Sequence, residues 1–284
     1  MKKILKNSII CLALAAIFIP GIVFAHQPRI AEGTAVIVTD PEVSKAYYGA
    51  LSGQPHIYKI SSEKSFHLYV NLLVPDRPGQ NKDVSADIVD MSKPDQIFRT
   101  LNAEDVFWTP MYEEYGGDDY FKGPEFTLLV AAGNYEIRVR SANNDSRYAL
   151  AIGSIESFPL SEIVNALVTI PKLKSDFFGT SPFTFLLSRF GILYVLMMVI
   201  AAFVFGLILH ALIRKFARGK VRKAEHNIGF KDRILRAVLG LLLLIVGVYF
   251  WNPVVLFFAG FCFFEAIFSW CGLYAALGKN SCPL

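Results

Sequence analysis

Three long apolar stretches fill the last third of the chain and bracket one dense run of positive charge. From about Phe190 to Leu212 no residue carries a formal charge. At ~1.5 Å per helical residue such a run crosses a ~30 Å hydrocarbon core, with Arg189 and Arg214 at its ends. A second stretch, from about Ile234 to Phe250, is shorter and needs Arg236 to snorkel toward the headgroups. Trp251-Asn252-Pro253 then reverses the chain. Asn252 can cap the next helix through its side-chain oxygen, and Pro253 suits the first helical position, whose N–H has no partner in any case. The third stretch runs from about Val254 to Trp270. The fold predicted is a multidomain membrane protein whose α-helical membrane region has three transmembrane helices, the last two forming a hairpin.

Charge orients this region. Arg214, Lys215, Arg218, Lys220, Arg222, Lys223, Lys231, Arg233 and Arg236 are opposed only by Glu225 and Asp232, the pattern that keeps a loop in the cytoplasm. The net charge of +4 therefore belongs to membrane topology and implies no nucleic acid partner. The chain opens with Lys2, Lys3 and Lys6, an apolar core from Ile9 to Ile19 and Val23-Phe24-Ala25, the layout of a cleavable bacterial export signal with His26 as the mature N-terminus. Cys11 would leave with it. The reading places the protein in the cell inner membrane, multi-pass, with a periplasmic N-terminal domain and a cytoplasmic C-terminus.

Between signal and spans, short alternating runs bounded by turn residues predict an extracytoplasmic all-β sandwich. Tyr135 to Arg140 places apolar residues on one face and charged ones on the other, with Arg147 to Ile152 as its expected partner across the Asn143-Asn144-Asp145-Ser146 turn. Further strands are expected at Ala35 to Thr39, His56 to Ile60, Phe66 to Val74, Ala86 to Met91 and Phe126 to Ala131. His56 and His67 lie on strands at no metal-ligand spacing. Ala132-Gly133-Asn134-Tyr135 leading to Arg147-Tyr148-Ala149-Leu150, together with Tyr47 to Leu51 and His56 to Ile60, resembles pre-peptidase C-terminal type sandwiches. That resemblance implies an adhesion, targeting or ligand-binding module without catalysis of its own. From Phe158 a short amphipathic helix is expected to end at Pro171, its apolar face resting on the sandwich or on the bilayer.

A second resemblance covers about Asn227 to Leu284. Asn227-Ile228-Gly229-Phe230-Lys231-Asp232-Arg233-Ile234-Leu235-Arg236, then Gly240 and Cys271-Gly272-Leu273-Tyr274-Ala275-Ala276-Leu277-Gly278-Lys279-Asn280-Ser281-Cys282-Pro283, resembles the YgaP-like two-helix inner-membrane domain. That family shows N-x-G-x-x-D-R-x-x-R at the start and C-P-x-Y-x-x-x-G-x-N-T-C at the end; Gly272 stands for the usual Pro and Ser281 for the usual Thr. The family occurs alone or fused to rhodanese sulfurtransferase domains, and no rhodanese is present here. The domains expected are thus 1–25 signal peptide, 26–157 sandwich, 158–185 amphipathic helix and linker, 186–213 first transmembrane helix, 214–233 basic loop and 234–284 YgaP-like hairpin.

Candidate functional residues fall in three groups. Cys271 and Cys282, near the interface marked by Trp270, form a candidate thiol pair that can cycle between dithiol and disulfide or carry persulfide sulfur, against the alternative of two reduced packing residues. Glu265 lies inside the third span, where an unpaired charge costs several kcal/mol, and Arg236 is close enough to form an ion pair with it. Trp108, Tyr112, Glu113, Glu114, Tyr115, Asp118, Asp119 and Tyr120 form a candidate ligand loop, with oxygens suited to calcium and rings suited to a sugar face. Its spacing matches no known calcium loop, so no metal is assigned. Without a nucleophile elbow, phosphate loop or triad, no catalytic residue and no cofactor is assigned either. The leading reading is a non-enzymatic binding or scaffolding protein with the lipid bilayer and a periplasmic or membrane protein as partners. The alternatives are a thiol-based sulfur or redox relay and a transport accessory subunit that uses Glu265.

Overall fold

A computed structural model describes residues 26–216 and 226–282. The expected signal peptide, 1–25, and the middle of the basic loop, 217–225, lie outside the described residues. The chain divides between Phe190 and Gly191 into two compact units.

The first unit is a two-sheet β-sandwich. One sheet has the order β1 (Gln27–Ile30), β3 (Lys45–Ala50), β11 (Arg147–Ile152), β5 (Phe66–Pro75), β9 (Asp118–Val130), β8 (Thr109–Glu113). The other runs β2 (Ala35–Val38), β4 (His56–Ser62), β10 (Gly133–Arg140), β6 (Ser85–Asp90), β7 (Ile97–Leu101). The pairs β1–β3 and β2–β4 are parallel. The core between the sheets is built by alternation: Leu68, Val70 and Leu72 of β5 and Tyr148, Leu150 and Ile152 of β11 meet Tyr58, Ile60, Ile88, Ile137 and Val139 of the facing sheet.

This arrangement corrects the expected pairing of Tyr135–Arg140 with Arg147–Ile152. β10 lies between β4 and β6, whereas β11 lies between β3 and β5 in the opposite sheet. Turn residues alone do not decide between a hairpin and a crossover. Here the two apolar sets, Tyr135, Ile137, Val139 and Tyr148, Leu150, Ile152, face one another across the core instead of lying side by side. Within it Tyr148 Oη is 2.8 Å from His56 Nδ1 and 2.8 Å from Tyr58 Oη, so the buried polar tips are mutually satisfied. Burial lowers the His56 pKa and raises those of both tyrosines. Gly49 makes room: a Cβ there would stand 2.6 Å from the Tyr148 ring.

β11 is buried on both faces because a helix covers the outside of its sheet. α1 (Leu160–Leu173) and a single π-turn (Lys174–Phe178) set Leu173, Phe177 and Phe178 against Leu73, Tyr120, Ala149 and Ala151. The apolar face of the helix expected after Phe158 thus rests on the sandwich. Pro171 does not end this helix; it sits in the last turn, and the chain continues helically to Phe178 before Gly179 turns left-handed at φ 70°. Arg29 clamps Glu162 with two hydrogen bonds of 2.8 Å, and Asn165 Nδ2 donates to the Pro28 carbonyl at 3.1 Å, which fixes the rotation of α1.

The second unit is helical. α2 (Arg189–Phe216) enters it from the first unit, followed by α3 (Phe230–Phe250), α4 (Pro253–Phe268) and the short α5 (Gly272–Leu277). The most apolar stretches of α2 and α3 are only 17% buried within the protein. Leu196, Phe205, Ile208 and Leu212 on α2 and Leu235, Leu239, Leu242 and Val246 on α3 are exposed. Exposed apolar surface on this scale belongs in lipid, not water. Among the described residues, two helices have the length and composition to cross a bilayer. The third, α4, has 16 residues and reaches roughly 24 Å, short of a ~30 Å core. At the α3–α4 turn Trp251 is left-handed at φ 48°, and Asn252 Oδ1 accepts from Val254 N at 3.0 Å and Val255 N at 3.2 Å, the cap its place before Pro253 predicts. Phe203 packs edge-on against Phe264 and His210 lies over Trp270, which holds α2 on α4.

Candidate functional site

Asn227 is the organising residue at the open end of the α3–α4 hairpin. Ser269 turns left-handed after α4, leaving the backbone of Cys271 in need of partners. Asn227 Oδ1 accepts from Cys271 N at 2.7 Å and Asn227 Nδ2 donates to Cys271 O at 2.9 Å. Its own N–H donates to Ser269 O at 3.0 Å, and its carbonyl accepts from Ser281 N at 3.1 Å. A carboxamide carries both a donor and an acceptor, so it pairs with a backbone unit as a strand would. Asn227 is thus a buried clasp between the Cys271 turn and the C-terminal tail.

The rest of the motif closes the same junction. Gly229 N donates to Ser281 Oγ at 3.1 Å, and Ser281 Oγ donates to Asp232 Oδ2. A Cβ on Gly229 would lie 2.2 Å from the Ser281 carbonyl oxygen, so only glycine lets the tail approach. Arg233 Nε donates to Ala266 O at 2.7 Å, covering one of the last carbonyls of α4.

One turn further along α3, Arg236 Nε donates to Glu265 Oε2 at 2.8 Å, with both side chains largely buried. The same guanidinium lies 5.0 Å from the Tyr274 ring centre and interacts with the Cys271 side chain. The structure therefore brings together Arg236, Glu265, Cys271 and Tyr274. Cys271 is buried and Cys282 partly exposed, and both are free thiols. Their segments are joined through Asn227, which binds Cys271 on its side chain and Ser281 on its backbone.

The candidate ligand loop folds as the β8–β9 hairpin, and most of its side chains serve the fold. Trp108 covers Gly123 and donates to Ala103 O at 3.2 Å. Glu113 turns back to accept from Tyr115 N at 2.9 Å and Gly116 N at 2.6 Å. Glu114 pairs with Arg189 at 2.7 Å, and Tyr115 packs on Phe190. Tyr120 is buried with its hydroxyl 2.9 Å from Tyr48 Oη. Tyr112 and Asp119 remain exposed.

Asp118 is buried and paired with Lys174, whose Nζ donates to Asp118 Oδ1 at 2.6 Å and to Gly117 O at 3.0 Å. Lys174, which falls in the linker expected after Pro171, is fully buried. The helical spacing of Leu173, Phe177 and Phe178 around it was the available signal. Burial pushes the Asp118 carboxyl up to about 6 despite Lys174, and raises Glu113 against the pull of its two N–H donors. These groups edge a cavity of about 50 Å³ under α1, walled by Tyr48, Met111, Tyr120, Ile170 and Leu173. Among the described residues no group of three or more His, Cys, Asp or Glu is placed to hold a metal ion.

Residues 224–284 match the family "inner membrane protein YgaP-like, transmembrane domain". This is the stretch whose two end motifs carry the resemblance. Ser281 keeps the hydroxyl that the junction uses, and Gly272 occupies the first position of α5, where proline is otherwise favoured. No curated protein matches the chain by sequence. Similar solved structures include the pre-peptidase C-terminal domain of collagenase from Bacillus anthracis, at 8% identity and TM-score 0.26 over 45% of this chain and 95% of that one. CorA, described as a surface-associated copper-binding protein of Methylomicrobium album BG8, is similar at 9% identity and TM-score 0.22 over 44% and 98%. A β-glucosidase from Paenibacillus barengoltzii is similar at 8% identity and TM-score 0.22 over 44% and 13%.

Proposed function

We propose that this chain is a non-enzymatic membrane binding protein: a signal-directed, periplasmic β-sandwich that engages a protein partner, held in the inner membrane by α2 and by the YgaP-like hairpin, with its C-terminus in the cytoplasm. α4 completes a third crossing in this reading, extended by Ser269, Trp270 and the interfacial α5. The basic run after α2 supports the orientation. The observation that carries the binding role is the open edge of the sandwich at β7 and at the part of β9 past Lys122, beyond its pairing with β8. Phe98 meets Phe126 edge-on at 6.2 Å, yet Ile97, Phe98, Leu128 and Leu129 all remain exposed. Leu128 shares a face with core Leu68, whereas Leu129 points outward opposite His67; apolar side chains left uncovered on both faces of a sheet edge are a surface a partner protein buries. A photo-crosslinking residue at Phe98 or Leu129 in intact cells should give a discrete protein adduct that Leu128→Glu abolishes, and one at exposed Glu63 should not. Equal adducts at all three positions, or none, contradict the reading.

The joining of the Cys271 and Cys282 segments through Asn227 favours a second reading, a thiol relay through the two cysteines. Mild oxidation should then join Cys271 and Cys282 as a disulfide, the two thiols giving up two electrons and two protons to the added oxidant, so that differential alkylation finds both protected together and Cys271→Ser releases Cys282. Independent labelling of the two removes the relay.

A further inference from the structure

The clamps that press one face of α1 onto the sandwich leave a second apolar face outside. Arg29–Glu162, Asn165–Pro28 and Lys174–Asp118 turn Ala166, Leu167, Ile170 and Leu173 inward. Leu160, Val164 and Val168 then project outward, at 77%, 55% and 52% exposure, and Lys172 ends the same row. Their spacing of four residues makes one continuous stripe along roughly 18 Å of helix. α1 packs against the next element, a 3₁₀ helix at Pro182–Leu187. That element also exposes Phe183 and, at 81%, Leu187, which precedes by two residues the Arg189 where α2 begins. The outward stripe is therefore continuous in the chain with an apolar helix of bilayer length, and its far end is cationic.

We propose that this outer face of α1, with Leu187, lies on the surface of the bilayer that α2 enters, so that α1 is layered between the sandwich and lipid. An interfacial helix buries its apolar side chains at the headgroup–acyl boundary while lysine at its rim meets anionic headgroups. Leu160, Val164, Val168 and Leu187 supply the first component and Lys172 the second. The sandwich is then seated against the membrane through a fixed helix, and its β7–β9 edge is presented at a set height above the lipid. The inference rests on the membrane insertion proposed above.

The test is site-directed spin labelling of the full chain, with native cysteines replaced by alanine, in vesicles of phosphatidylglycerol and phosphatidylethanolamine. Labels at Val164, Val168 and Leu187 should collide with oxygen more often than with a water-soluble nickel chelate. The order should invert at exposed Glu63. A label at Leu196, within α2, reports insertion separately. Oxygen-dominated collisions at Leu196 with nickel-dominated ones at Val164 and Val168 overturn the docking of α1 and leave the membrane reading intact; nickel-dominated collisions at Leu196 overturn both. Shielding of Val164 and Val168 from both reagents would assign the stripe to a protein partner and also overturn the proposal.

Discussion

Lys174→Met is the perturbation that most sharply tests how α1 is held. The ammonium is fully buried, bonded to Asp118 at 2.6 Å and to Gly117 O at 3.0 Å. Removing one partner of a buried pair costs ~3–5 kcal/mol, because the other charge is left without compensation. Asp118 sets how that cost varies with pH. Its folded pKa of about 6 lies above the ordinary 3.8, so between these values the folded state holds a proton that the unfolded state releases. The contribution of this group to stability therefore grows as pH falls through 6, and at pH 7 the charged carboxyl costs about 3 kcal/mol relative to an unperturbed one. Lys174→Met should accordingly destabilise most at pH 7, and less at pH 5, where Asp118 is neutral. Asp118→Asn strands the lysine instead, and pH 5 should bring no relief. The double variant Lys174→Met, Asp118→Leu should recover most of the loss. Hydrogen exchange of peptides from 160–178 in the intact protein reads this locally. A loss of about 4 kcal/mol accelerates exchange by opening roughly a thousandfold, at 1.4 kcal/mol per tenfold. Additive single and double variants, or a pH 5 loss as large as that at pH 7, would refute the reasoning.

Other consequences are equally local. Gly49→Ala forces a Cβ to 2.6 Å from the Tyr148 ring and should cost about 1–3 kcal/mol by overpacking, read as faster exchange in β3 and β11 with the 227–282 region unchanged. Asn227→Ala removes two buried hydrogen bonds from the Cys271 backbone and leaves its N–H unpaired, while its carbonyl still accepts from Ala275 N at 2.9 Å; at ~1–3 kcal/mol for the one unsatisfied group, alkylation of Cys271 should rise from negligible to readily detected. Gly229→Ala should displace the tail at Ser281 and raise the labelling of Cys282, whereas Asp232→Asn should have a smaller effect because its amide still accepts from Ser281.

How far the fold can be read from the residues depends on whether the deciding contact is local. Asn252-Pro253 announces its own turn, and the alternation in β5 and β10 announces strands, because caps and pleats are short-range. Sheet membership of β10 and β11 is set by which apolar set faces which across the core, and the turn between them looks the same either way. Arg236 and Glu265 meet because both lie one or two turns from the same hairpin end, which counting along two helices reveals. Lys174 and Asp118 are separated by most of the helix and hairpin chemistry of the domain, so neither residue type betrays the pair. The acid-rich β8–β9 segment misleads in part for the same reason: Glu114 and Asp118 face Arg189 and Lys174, both distant in sequence, while Glu113 accepts from N–H groups of its own turn.

The central claim is that the sandwich and the C-terminal tail lie on opposite sides of one membrane. It is tested most directly by fusing alkaline phosphatase, active only outside the cytoplasm, after Thr180 and, separately, after Leu284, with green fluorescent protein at the same two points. The account predicts phosphatase activity at Thr180 with a dark fluorescent fusion, and fluorescence at Leu284 with an inactive phosphatase. Phosphatase activity at Leu284 would mean that α4 does not complete a crossing, and would contradict the three-crossing arrangement on which the proposed function stands.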